Sequence, residues 1–207
     1  MKNYQLELDK TLEKIKDTRP KLLLHVCCAP CSSYVLSYLS DYFDITVLYY
    51  NPNISPYEEY EKRLTEEKRL IKELNKNIHI MDCNYDSELF DSIAHGLEDA
   101  KEGGIRCYKC YNLRLEKTAM IAKKEHYDYF TTTLTISPLK NSQVLNKIGY
   151  DLEKKYDIKY LYSDFKKRDG YKTSIILSKK YSLYRQDYCG CIYSKIAREK
   201  EKALKEL

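Results

Sequence analysis

No run of ~18 apolar residues occurs along the chain, so the sequence offers no membrane-spanning helix and no membrane partner is expected. The opening segment, Met1 to Lys10, mixes both charges without an apolar stretch, and no secretory signal is expected there. Histidine is scarce: His25, His79, His95 and His126 are scattered, which counts against a histidine-rich zinc site. There is no Walker-type glycine loop, since Gly103-Gly104 reads only as a turn, and this counts against an ATP-driven reaction. Tryptophan is absent while tyrosine reaches 22 residues. A base-composition bias in the source genome explains that as readily as base-stacking platforms do. Internal repeats and low-complexity linkers are also missing.

What is present is sulfur. Seven of the eight cysteines fall into three groups, Cys27-Cys28-Ala29-Pro30-Cys31, Cys107-Tyr108-Lys109-Cys110 and Cys189-Gly190-Cys191, and Cys83 stands alone. Scattered thiols usually serve as small apolar core residues, and Cys83 is assigned to packing on that ground. Thiols gathered two or three to a turn look like ligands. The protein is expected in the cytoplasm, where thiols stay reduced, so a disulfide framework is not expected. With 36 basic and 31 acidic residues the formal charge is +5, compatible with RNA binding without demanding it.

Hydrophobic patterning predicts strands at Leu22–Val26, Ile45–Tyr50, Ile78–Met81, Tyr129–Leu134 and Ile158–Tyr162. Helices are predicted at Tyr4–Lys16, Ser32–Tyr42, Glu58–Asn75, Ser87–Leu97, Cys107–Lys124, Asn141–Tyr156, Thr173–Lys180 and Cys191–Leu207. The alternation argues an α/β fold: a parallel sheet of about five strands with helices on both faces. Residues 1–207 are expected to form a single domain, with 1–20 as a helical extension and 189–207 as a terminal helix.

Right-handed crossovers bring helix N-termini to the carboxyl edge of such a sheet, where open α/β folds bind ligands. Each cysteine group lies at a predicted helix start, so all three can converge into a cysteine-lined site at that edge. The helix dipole there is expected to favour thiolate over thiol. Two C-x-x-C pairs, Cys28–Cys31 and Cys107–Cys110, would satisfy a four-cysteine zinc site, leaving Cys27, Cys189 and Cys191 unused. A cubane iron–sulfur cluster takes four thiolates, or three with an open iron, and seven thiols allow it a second metal or a redox dithiol as neighbour. The count favours iron–sulfur, with zinc kept open. His25, on an apolar strand, reads as a hydrogen-bonded core histidine.

Several segments carry more information together than singly. They are His25-Val26-Cys27-Cys28-Ala29-Pro30-Cys31; Tyr49-Tyr50-Asn51-Pro52-Asn53-Ile54 with Glu59, Tyr60 and Arg63; and Arg106-Cys107-Tyr108-Lys109-Cys110-Tyr111. Thr132-Thr133-Leu134 with Ser137-Pro138, Asp164-Phe165-Lys166-Lys167, and Tyr184-Arg185-Gln186-Asp187-Tyr188-Cys189-Gly190-Cys191 complete the set. From about Leu22 to Ser194 this order closely resembles the cobalamin-independent epoxyqueuosine reductases, the QueH family.

The resemblance implies the last step of queuosine synthesis, reduction of the epoxide on the cyclopentane ring of epoxyqueuosine in the tRNA wobble nucleotide. It implies a nucleotide-binding α/β fold of the HUP (PP-loop-like) type and a 4Fe–4S cluster with further iron chemistry beside it, without cobalamin. The partners implied are epoxyqueuosine-bearing tRNA and an unidentified electron donor. Some members carry a carboxylate where this chain has Cys31, a hard ligand suited to iron. The expected division is therefore Cys27, Cys28, Cys107 and Cys110 on the cluster, with Cys31, Cys189 and Cys191 on a second iron. Candidate proton donors are Tyr50, Asp164 and Tyr188, with nothing in the sequence to rank them. Asn51, Asn53, Thr132, Thr133 and Ser137 sit at predicted strand ends as candidate substrate contacts, although Asn-Pro and Ser-Pro also simply build turns. Arg185, with Lys166, Lys167 and Arg168, is a candidate for anticodon phosphates. The alternative is a non-catalytic RNA-binding module on a four-cysteine zinc site. A tRNA sulfur-transfer enzyme is less favoured because its ATP loop is missing.

Overall fold

The computed structural model describes residues 2–81 and 83–205. Among them the elements run α1 (Tyr4–Ile15), β1 (Lys21–His25), α2 (Ala29–Leu39), β2 (Asp44–Leu48), α3 (Tyr57–Leu74), β3 (Ile78–Met81), α4 (Ser87–Ala94) and α5 (Ile105–Lys124). Then follow β4 (Tyr129–Thr132), a 3₁₀ turn (Thr133–Ile136), α6 (Ser142–Tyr156), β5 (Lys159–Tyr160), α7 (Gly170–Lys180) and α8 (Ile192–Ala203). The five strands form one parallel sheet in the order β3-β2-β1-β4-β5. None of the described helices is long and apolar enough to cross a membrane.

Strand β1 is apolar on both faces, as a central parallel strand must be. Leu22 and Leu24 face a core with Leu8 and Leu12 of α1, Val35 and Leu36 of α2, and Ile71 of α3. Leu23 faces the opposite core, with Leu115 and Ala119 of α5 and Leu145 and Ile148 of α6. The period of two along the strand thus assigns each helix to its layer. Asn3 caps α1 by accepting from the Gln5 and Leu6 amides, and Asn141 caps α6 by accepting from those of Gln143 and Val144.

The chain proceeds outward from β1 to β2 and β3, then returns to lay β4 against the other side of β1. That reversal opens a crevice beyond the carboxyl ends of β1 and β4, the place where such sheets accept ligands. Cys27 and Cys28 follow β1 directly and the 3₁₀ turn follows β4.

Element boundaries differ from the sequence expectation where side chains capture the backbone. Helix α2 begins at Ala29, before Ser32, because Pro30 fits its first turn and draws Cys31 into the helix. Strand β4 ends at Thr132, short of Leu134, because the Thr132 hydroxyl accepts the Leu134 amide at 3.1 Å and starts the 3₁₀ turn. The edge strand β5 pairs over only Lys159 and Tyr160, and beyond it the Leu161 carbonyl accepts the Thr131 hydroxyl at 2.8 Å. Helix α4 stops at Ala94 because Gly96 turns the chain at φ +74°. Of the expected terminal segments, Met1, Glu206 and Leu207 lie outside the described residues.

Gly149 shows how closely α6 meets β5: a Cβ there would overlap the Tyr160 ring. Gly149→Ala improves helix propensity yet overpacks this contact, and is expected to destabilise the fold by about 1–3 kcal/mol. The urea midpoint measures this, and an unchanged or raised midpoint contradicts it.

Candidate metal centre

The seven grouped thiols are all unpaired by disulfides. Cys28 is the N-cap of α2 and Cys31 lies in its first turn. Cys107 and Cys110 occupy the first two turns of α5 and Cys191 is the N-cap of α8. Three helix starts therefore deliver sulfur to one region. The Sγ atoms of Cys27, Cys28 and Cys31 lie within 4.8 Å of one another, with 3.8 Å between Cys27 and Cys28. Cys107, Cys110, Cys189 and Cys191 line a separate small pocket. Cys189 also borders a larger cavity of about 580 Å³, whose floor is the Cys27, Cys28 and Cys31 trio.

The turn carrying Cys189 and Cys191 is held from α3. Arg63, 1 % exposed, donates through Nη1 to the Cys189 carbonyl at 3.2 Å and pairs with Glu59 at 2.7 Å. The Ser55 amide donates to the Gly190 carbonyl at 2.9 Å. Gly190 sits at φ +129°, and a Cβ there would press on Ile54 and Arg63, so glycine is required for this approach.

Positive charge surrounds the sulfur. Arg114 is buried and donates to the Cys110 carbonyl and to Asn51 Oδ1, but has no carboxylate partner among the described residues. Its Nη2 and that of Arg63 make no hydrogen bond. The Lys140 ammonium lines the larger cavity without an ion pair among the described residues. Burial works against its charge, but Cys189, Cys27 and Cys31 nearby hold its pKa above the ordinary value.

At Cys28, Cys31, Cys107 and Cys110 the helix starts do not by themselves favour thiolate, contrary to the expectation from the dipole. Cys27 is lowered, because the Cys28 and Cys31 thiols donate hydrogen bonds to it. The same interaction pushes Cys28 up to about 12 and raises Cys31. Burial pushes Cys110 up to about 12 and raises Cys107. Desolvation outweighs the fixed dipoles here. Buried thiols beside under-compensated cations fit a thiophilic metal, whose binding would supply the missing negative sulfur.

A family model described as epoxyqueuosine reductase QueH matches residues 22–197. The chain is 41 % identical over 202 residues to the epoxyqueuosine reductase QueH of Streptococcus pyogenes serotype M1, covering 93 % of this chain and 79 % of that protein. Those of Staphylococcus epidermidis and Thermotoga maritima are 41 % identical over 206 residues and 36 % identical over 185. The first match covers 94 % of this chain and 87 % of the relative, the second 88 % and 94 %. The chain belongs to the epoxyqueuosine reductase QueH family.

Of the residues that the QueH resemblance singled out, Ser137, Arg185 and Tyr188 line the larger cavity with the thiol trio. Asn53 lines the smaller pocket, and its Oδ1 is buried without a partner. Asn51, Thr132 and Thr133 are fully buried and line neither. Asn51 donates to the Val26 carbonyl at 2.8 Å, and Thr132 contacts His25 Nδ1 at 2.9 Å. His25 Nε2 lies 3.1 Å from the Tyr50 carbonyl, so this imidazole donates there, accepts from Thr132, and is a core group pushed down to about 3 by burial. Asp164 binds Ser142 and Lys166, and Arg168 pairs with Asp9, away from the cavity. Cys83 packs against the core that α5 covers and lines neither cavity.

Three residues escaped the sequence reading. Arg114 follows Cys107 and Cys110 at helical spacing on one face, a pattern visible in advance. Lys140 is one lysine among many. Glu67 is fully buried on α3, accepting from Ser32 Oγ at 2.7 Å, and its other oxygen is unpaired.

Burial raises Glu67 from 4.5 to about 8. The folded chain then keeps a proton that the unfolded chain has lost, so this residue's contribution to stability is full below pH 4.5 and drains away as pH rises through about 8. Glu67→Gln is expected to flatten that fall, gaining on the wild type at pH 8 with little change at pH 5. Denaturation midpoints at the two pH values test this, and parallel profiles refute it.

Proposed function

We propose that this chain reduces the epoxide of epoxyqueuosine, in the wobble nucleotide of a tRNA anticodon, to the alkene of queuosine, using iron–sulfur chemistry. The observation that carries the reading is the gathering of seven free thiols around two pockets that share Cys189, four of them lining the cavity of about 580 Å³, in a chain of the QueH family. We further read residues 1–207 as one domain.

The thiol spacing supports a division of labour different from the one expected at the outset. Bonds of ~2.3 Å from four sulfurs to one tetrahedral ion set those sulfurs about 3.8 Å apart. The Cys27–Cys28 separation of 3.8 Å therefore suits a single iron, which Cys27, Cys28 and Cys31 would hold. A cubane carries one thiolate on each of four irons and holds them further apart. Cys107, Cys110, Cys189 and Cys191, spread around their own pocket, suit that group.

Converting epoxide to alkene consumes two electrons and two protons and releases water. A cluster held by Cys107, Cys110, Cys189 and Cys191 would supply electrons singly, and an iron held by Cys27, Cys28 and Cys31 would supply Lewis acidity. The chain's own residues do the rest. Arg63, Arg114 and Lys140 offset the charge of the thiolates. Ser137 and Arg185 contact the substrate, whereas Asn51, Thr132 and Thr133 hold the frame of the crevice. Tyr188 is favoured over Tyr50 and Asp164 as proton donor: it lines the cavity, which they do not, and its hydroxyl makes a long 3.4 Å bond to the Ser55 carbonyl. An external donor supplies the electrons.

Reconstituted protein, incubated anaerobically with epoxyqueuosine-containing tRNA and a strong reductant, is expected to yield a nucleoside lighter by one oxygen by mass spectrometry. A colourless protein holding stoichiometric zinc and leaving the nucleoside unchanged overturns the reading in favour of the RNA-binding module. At residue level, Cys110→Ala is expected to abolish the broad absorption near about 400 nm and turnover, with Cys83→Ala leaving both nearly intact. Equal losses in the two variants would remove Cys110 from the ligand set.

A further inference from the structure

We propose that Tyr171 and Leu139 form a base-stacking clamp at the mouth of the larger cavity, gripping an unpaired nucleobase next to the one that enters. The proposal rests on the reductase reading and names how its RNA is held. Both side chains line the cavity from opposite parts of the chain, Tyr171 from the start of α7 and Leu139 from the loop after the 3₁₀ turn. Leu139 is 77 % exposed and Tyr171 36 % exposed. Neither owes this to a slack backbone. Ser137 Oγ accepts the Leu139 amide at 3.3 Å and the Ser137 carbonyl accepts that of Lys140 at 3.2 Å, fixing a turn that points Leu139 outward. Gly170 is wedged against the Phe165 carbonyl and Tyr34, which fixes the backbone just before Tyr171.

Many tyrosines of this chain pack ring against ring, Tyr34 on Tyr38 and Tyr57 on Tyr60 among them. Tyr171 has no ring or cation partner among the described residues, and it lines the cavity part-exposed. Charge identifies the occupant. Among the described residues Arg185 is held only by Ser178 Oγ at 3.0 Å and pairs with no carboxylate. Two carboxylates of the same wall are already neutralised, Asp187 by Lys202 at 2.5 Å and Glu201 by Arg198 at 2.9 Å; Glu102 is the exposed one that remains. An aromatic ring and an exposed leucine beside the uncommitted Arg185 match single-stranded RNA, whose bases stack while its phosphates are neutralised. The cavity admits one nucleotide out of the stack, and the clamp replaces the stacking which its neighbour loses.

Fluorescence anisotropy of a labelled anticodon stem-loop RNA, carrying epoxyqueuosine at the wobble position, on the reconstituted full chain tests this. Tyr171→Ala is expected to weaken binding about tenfold, with Tyr171→Phe binding like the wild type, since stacking needs only the ring. The tenfold deficit should vanish on one of two RNAs made abasic at a nucleotide flanking the wobble position. Wild-type affinity in Tyr171→Ala, equal weakness in Tyr171→Phe, or a deficit persisting on both abasic RNAs overturns the clamp. The measurement needs no turnover. A wild type that reduces the RNA beside a tight-binding Tyr171→Ala sinks the clamp alone, and a wild type that binds but never reduces sinks the reductase reading alone.

Discussion

Placing the Arg114 guanidinium inside the protein is costly unless negative charge sits beside it, and no carboxylate does so among the described residues. Its surroundings are a backbone carbonyl, an asparagine amide and the sulfur of three chain segments. Arg63 repeats the pattern on the other side, only partly compensated by Glu59, and Lys140 closes it from the cavity. The polar architecture around the crevice is arranged to receive thiolate rather than to supply it. A neutral thiol, which burial favours at Cys110 and Cys107, leaves these cations short of partners. A thiophilic metal resolves both halves of the imbalance at once, converting thiol to bound thiolate where the cations wait.

The sheet was legible from sequence because its strands are short apolar runs separated by charged, periodic helices. β3 falls where patterning puts it, and β1 within one residue, with Leu22, Leu23 and Leu24 alternating between two cores. Convergence of the cysteine groups was also legible, since it needs only parallel strands and helix starts. Boundaries were less so. Thr132 ends β4 through a hydroxyl contact spanning two residues, which hydrophobic periodicity does not register.

Within the site, residue type was easier to read than role. Asn51, Thr132 and Thr133 sit at strand ends, as substrate contacts would, yet full burial commits them to the frame that carries the crevice. Whether an end-of-strand polar group faces inward or outward depends on what packs over it, here α5 with Arg114. Glu67 was illegible for a related reason: in a helix crowded with glutamates, nothing local marks the one directed at Ser32 in place of solvent.

Helix α3 forms early in the chain but finds several of its polar partners late. Arg63 binds the Cys189 carbonyl, Glu66 accepts the Tyr184 amide at 2.7 Å, Arg69 donates to the Tyr181 carbonyl at 2.9 Å, and Glu59 accepts from the Tyr184 hydroxyl. Synthesis on the ribosome delivers these groups in order, so a nascent chain that already has its strands still shows an unfinished α3. The sulfurs of Cys189 and Cys191 arrive with the same strap. Docking of this strap on α3 and completion of the thiol set therefore go together.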